Sequence, residues 1–222
     1  MSSKIRRARA LFSPGIHGLI GIVLAAVGLV IGVPSALAQA SEAAPIRLTV
    51  VIFADHRMED REWAALFDAL RRNLAEGAAE TQVIATNPEI IRGDTMQPGL
   101  QLDSPVVIFL HGDCNLAPIP VRTAYGVPLG WVEQVDGRIE PFVHVDCRRI
   151  GQVIGPQAVG INADRRNAMM AGAMARVIAH EWIHIATQST AHAARGIERA
   201  QFGVADLMAG REKPGAPVRY PR

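Results

Sequence analysis

The chain has 222 residues, with 23 Lys and Arg against 21 Asp and Glu, a formal net charge of +2. Its first forty residues hold four basic groups, Lys4, Arg6, Arg7 and Arg9, and no acid, so the remainder has 19 basic against 21 acidic residues, a net of −2. The basic excess therefore belongs to the first segment and gives no argument for nucleic-acid binding, and the roughly 180 residues left are enough for one domain with a sizeable core.

Residues 1–40 read as a secretory signal. The basic group precedes the uncharged apolar run Ile16 to Val33, and Ala36-Leu37-Ala38 and Ala38-Gln39-Ala40 each offer a small-x-small cleavage pattern. The competing reading is an uncleaved anchor, since the run approaches the length of a spanning helix. Its many glycines and alanines weaken that reading. Arg6-Arg7 is not followed by the apolar pair of a twin-arginine signal, so Sec export to the periplasm or exterior is expected. Membrane contact is then limited to this segment before cleavage.

Ile46 to Ala54 is β-branched and apolar, the pattern of a buried strand. An amphipathic helix follows from about Glu59 to Gly77, with Trp63, Leu66, Phe67, Leu70 and Leu74 on one face. Gln82 to Thr86 is a short strand candidate, and Asn87 to Ser104, with Pro88, Gly93, Pro98 and Gly99, reads as a loop. Pro105 to Leu110 is a second buried strand. Leu129 to Val135 and Arg138 to Cys147 flank Asp136-Gly137, a strong hairpin signal. In the second arm Phe142, His144 and Asp146 alternate with Val143, Val145 and Cys147. Gly151 to Gly160 reads as a glycine-rich connection without a phosphate-binding pattern.

Asn162 or Asp164 can cap the next helix, which extends to about Thr187 with Ala168, Met169, Ala173, Met174, Val177 and Ile178 on its apolar side. Residues 41–210 are therefore read as one α+β domain, a small twisted mixed sheet with a backing helix and this second helix packed beneath it. Residues 211–222, with three prolines and several charges, read as a disordered tail. Cys114 and Cys147, an even pair in an exported chain, are expected to form a disulfide that stabilises the fold by about 3–4 kcal/mol in the chain-entropy model. The alternative is two buried thiols.

The last helix carries the chemistry, in the stretch His180-Glu181-Trp182-Ile183-His184. Histidines four apart project from one helical face, so both imidazoles can reach a single Zn²⁺ at about 2.0–2.1 Å. Glu181 is placed to hold the attacking water and take its proton without binding the metal. Two histidines and a glutamate in an otherwise apolar helix call for a reason beyond packing. The competing reading is an ordinary helix with His184 placed favourably against its dipole. A catalytic zinc needs a third protein ligand and an open position. Thr187 and Thr190 occupy the metzincin glycine and histidine positions, so the third ligand chosen is His192, two residues beyond. Glu198 and Asp206 are the fallbacks.

On His180, Glu181, His184, His192, Gly196, Ile197, Asp206 and Leu207, this stretch resembles a group of short, exported, metzincin-like zinc peptidases of bacteria with a displaced third histidine. It departs from them at Gln188, where glycine is usual, and at Glu198, where methionine is usual. Met208 is then the substitute for the missing methionine. The resemblance covers under a sixth of the chain and implies a zincin-like fold and peptidase chemistry by analogy. On that basis the expected function is an exported zinc metallopeptidase with Glu181 as general base, acting on peptides or proteins. A non-catalytic zinc-binding or interaction protein is the alternative. Arg195 is a candidate oxyanion donor. His144 with Asp146, and His111 with Asp113, are read as hydrogen-bonded structural or surface groups rather than cleft residues. Oligomeric state is not legible.

Overall fold

The computed structural model describes residues 48–81, 88–102, 104–118 and 128–209. The signal segment, the strand candidate Gln82 to Thr86 and the tail 211–222 lie outside them.

Five strands form one mixed sheet: β1 (Thr49–Ala54), β2 (Glu89–Arg92), β3 (Pro105–His111), β4 (Gly130–Val135) and β5 (Arg138–Asp146), in the spatial order β2-β1-β3-β5-β4. Four are parallel, and β4 returns antiparallel along β5 to form one edge. The Asp136-Gly137 turn makes this hairpin, with positive φ at both residues (50° and 78°), the backbone a tight two-residue connection requires.

The helices are α1 (Asp60–Thr81), α2 (Cys147–Ile154), α3 (Ala163–Thr187) and the short α4 (Val204–Leu207). Alternation along the strands puts Val50, Ile52, Val106, Ile108, Leu110, Val143 and Val145 on one face. They join Leu66, Leu70 and Leu74 of α1 and Met170, Met174, Val177 and Ile178 of α3 in one core. Each fully buried aliphatic side chain there contributes on the order of 1.5–3 kcal/mol. α1 and α3 pack on each other, and α3 also runs close beneath β5 and β4. This is a zincin-like α+β arrangement, with the histidine-bearing helix held against the antiparallel edge of the sheet.

Two expectations need correction. β2 forms inside the stretch read as a loop; only four residues long, it is held by parallel pairing to β1, a partner some forty positions earlier. The Gly151 to Gly160 connection is instead α2 followed by a 3-10 turn at Gly155–Ala158. Asp146 starts α2 by accepting from the Arg149 N–H at 3.0 Å, so Cys147 opens a helix rather than ending a strand. The Cys114–Cys147 disulfide is formed and ties the loop after β3 to that helix start. Among the described residues no helix is long and apolar enough to cross a membrane.

Candidate metal centre

α3 starts cleanly because the Asn162 side chain accepts from the Arg165 N–H at 2.9 Å. It ends at Gln188, whose backbone is left-handed (φ 50°, ψ 36°). A glutamine is costly in that conformation, but its side chain offsets the cost. The amide nitrogen donates to the carbonyls of Ile139 and Ile185 at 2.9 Å, and the amide oxygen accepts from the Ile139 N–H at 3.1 Å. Gln188 thereby takes the place of the usual glycine and fastens the helix exit to β5.

The reversal at Gln188 turns the chain back over α3. Ser189 N–H reaches the His184 carbonyl at 3.3 Å, and Ala191 N–H the Ser189 hydroxyl at 3.1 Å. His192 returns to the helix face, its ring centroid 5.3 Å from that of His180 and 4.9 Å from that of His184. One nitrogen from each of His180, His184 and His192 lies within 4.8 Å of the others, a group suited to hold a metal ion. Glu198 and Asp206 are not in the group. Asp206 accepts from Arg199 at 2.6 Å and from the Gly203 N–H at 2.9 Å, which shapes the segment leading into α4.

The hydrogen bonds of the two helical histidines settle which nitrogens face the site. His180 Nδ1 lies 2.7 Å from the Ile197 carbonyl, and His184 Nδ1 lies 2.6 Å from the Ser189 carbonyl. A carbonyl can only accept, so each Nδ1 carries the proton and each Nε2 presents a lone pair. Those two Nε2 atoms are 3.1 Å apart, with the rings at 88°. Burial holds His180 down to about 4, the Ile197 hydrogen bond opposing and His184 and His192 assisting. Burial likewise lowers His184. At neutral pH the site is therefore two neutral imidazoles with converging lone pairs. A metal ion would satisfy both lone pairs, as would a proton taken up by one of the two rings, and a third imidazole stands beside them.

His111 and His144 make a useful contrast. Their facing nitrogens are 2.9 Å apart, almost the same separation, yet the rings are within 7° of parallel and their centroids are 5.2 Å apart. That is about as far apart as the centroids can be at this contact, so the rings meet in line, as a hydrogen bond requires. Their outer nitrogens reach Asp55 at 3.1 Å and Glu133 at 2.9 Å. The chain Asp55–His111–His144–Glu133 is thus a polar network on the sheet face away from α3. It does not line the cleft, in keeping with the structural reading of these histidines. The partners are those above rather than Asp113 and Asp146.

The cleft beside the three histidines has a volume of about 640 Å³ and runs between α3, the edge strand β4 and the segment Arg199 to Val204. Glu181 lines it and is 7 % exposed. Burial pushes its carboxyl up to about 7. Gly130 brings β4 close: a Cβ there would lie 2.6 Å from Val177 Cγ1 and 3.2 Å from Glu181 Cγ. Phe202 packs its ring at 78° to that of His180, centroids 5.1 Å apart. Gly130, Phe202 and the carbonyls of Ser189 and Ile197 have no recognisable sequence signal, because their roles come from backbone approach and tertiary contact. Arg195 is exposed and does not line the cleft; Arg199 does, already paired with Asp206.

The arrangement matches a zincin-type metal site, His180-Glu181-x-x-His184 with a displaced third histidine, His192. No protein-family model, no curated protein and no solved structure matches this chain.

Proposed function

We propose that the protein is an exported zinc-dependent metallopeptidase, with His180, His184 and His192 as the zinc ligands and Glu181 as the general base. The converging lone pairs of His180 and His184, their protons fixed on Nδ1 by the Ile197 and Ser189 carbonyls, carry this reading. Three imidazoles are the donor set of a catalytic rather than a structural zinc, since they leave a coordination position open. Zn²⁺ held there would supply Lewis acidity, polarising a substrate carbonyl and lowering the pKa of the attacking water.

The chain's own groups do the rest. Ile197 and Ser189 hold the two helical imidazoles in one tautomer and orientation. Glu181, one residue after the first ligand and facing the cleft, takes the proton of the attacking water and returns it to the leaving amide nitrogen. In the metal-free chain burial holds its carboxyl up to about 7, and a bound cation would favour the carboxylate that accepts the proton. Phe202 and Val177 exclude solvent from the same wall. Among the described residues no strand pairs with the outer edge of β4, so an extended peptide can add there as a further strand and be fixed by main-chain hydrogen bonds. The expected substrate is therefore a peptide or an extended protein segment, met in the periplasm or outside the cell.

The test is to purify the mature protein without chelator, measure zinc, and assay a broad peptide library. About one zinc per chain with hydrolysis is expected. His192→Ala should weaken zinc binding by orders of magnitude in a protein that remains folded. Unchanged affinity would remove His192 from the ligand set, and zinc without any hydrolysis would leave a zinc-binding module in place of a peptidase.

A further inference from the structure

The sheet face away from α3 carries a row of rings that crosses four strands. Phe53 of β1 stands beside Phe109 of β3, Phe109 beside His144 of β5, and His144 beside Trp131 of β4, each pair directly opposite in the strand register. Their centroids are 5.8, 5.1 and 5.0 Å apart, and their planes lie within 19°, 19° and 6° of parallel. His111 also lies parallel to Trp131, at 5.7 Å and 9°. The row repeats at nearly the spacing of neighbouring strands, about 4.7–4.9 Å. Among the described residues it ends at Trp131, because β4 is the last strand of the sheet on that side. Both imidazoles lie parallel to the indole at 5.0 and 5.7 Å, and 41 % of Trp131 is exposed.

Trp131 itself borders the metal-site cleft, while the strand register puts its ring on the sheet face shared with His144. An extended peptide added to that edge sends alternate side chains to opposite faces of the sheet. The side chains directed toward α3 enter the cleft. Those directed the other way pass over the row's open end, one of them opposite Trp131.

We infer that Trp131 is a specificity-determining residue that selects an aromatic side chain on the substrate, which stacks on the indole as the next ring of the row. This rests on the peptidase reading for its occupant, but the stacking itself is a binding property. Parallel-offset aromatic pairs favour association beyond burial alone, by an amount equivalent to about 2- to 13-fold in affinity. Leucine buries similar apolar area without a ring face, so the two can be told apart. Trp131 acts through KM, since it lies on the sheet face opposite the metal centre.

The experiment uses zinc-loaded Glu181→Gln protein and a set of labelled polyalanine hexapeptides bearing Phe, Tyr or Leu at each position in turn, read by equilibrium binding. At one position Phe and Tyr should bind severalfold more tightly than Leu. Trp131→Ala should abolish that preference with zinc content unchanged, and Trp131→Phe should retain most of it. Absence of any aromatic preference, or its persistence in Trp131→Ala, overturns the inference. The same peptides given to the wild type report separately on the chemistry. If they bind with the aromatic preference but are not cut, the peptidase reading fails and the stacking site stands.

Discussion

Burial acts in opposite directions on two adjacent side chains of α3. The Glu181 carboxyl, ordinarily near 4.5, is held up to about 7, and the His180 imidazole, ordinarily near 6.5, is held down to about 4. In the metal-free chain the Glu181 contribution to stability is fully present below pH 4.5 and is lost as pH rises through 7. The His180 contribution is fully present above pH 6.5 and is lost as pH falls through 4. Glu181→Gln removes the first dependence only. With a chelator present, the variant should be more stable than the wild type at pH 8 by about 1–3 kcal/mol, and the gap should narrow as pH falls toward 5. Urea midpoints at the two pH values check this. A gap that does not change with pH would mean that Glu181 is solvated or paired in the folded protein.

At the scale of elements, the exit of α3 decides whether His192 reaches the other two histidines. Gln188 holds that exit through three side-chain hydrogen bonds, two of them to Ile139 on β5. Gln188→Ala keeps the left-handed backbone and removes the bonds, so it should lower Tm by several degrees, equivalent to about 1–3 kcal/mol. Gln188→Gly removes the same bonds but suits that backbone better, so its loss should be smaller. Thermal melts of both variants are sufficient. An alanine variant as stable as the wild type would show that the side-chain bonds of Gln188 contribute nothing net. In the sequence Gln188 stands out only as a departure from glycine, because an amide that imitates a strand partner is visible only once β5 lies beside it. The hairpin and the metal helix are legible beforehand, since Asp136-Gly137 and the spacing of His180 and His184 are local signals. β2 and α2 are not. Glu89–Arg92 lies between Pro88 and Gly93 and is a strand only through β1, and α2 carries Gly151 in its interior.

For the molecule as a whole, the sheet has two faces with different roles. One is buried against α1 and α3 and sets the metal helix against β4. The other carries the ring row and the Asp55–His111–His144–Glu133 network. The disulfide fastens the loop after β3 to the start of α2, bracing the stretch between β5 and α3. The three-histidine site is legible in outline from the sequence, but the location of the Nδ1 protons is not, because both accepting carbonyls come from the segment beyond the helix. That detail distinguishes a metal pair from a hydrogen-bonded pair such as His111 and His144, and it underlies the functional proposal.

The most direct measurement is zinc content and peptide hydrolysis of Glu181→Gln beside the wild type. A general base touches the attacking water but not the metal, so the variant should keep about one zinc per chain while hydrolysis falls by about 10²–10⁴-fold. Loss of zinc from the variant would make Glu181 a ligand, and undiminished hydrolysis would assign the proton transfer to another group; either result contradicts a mechanism in which Glu181 is the general base.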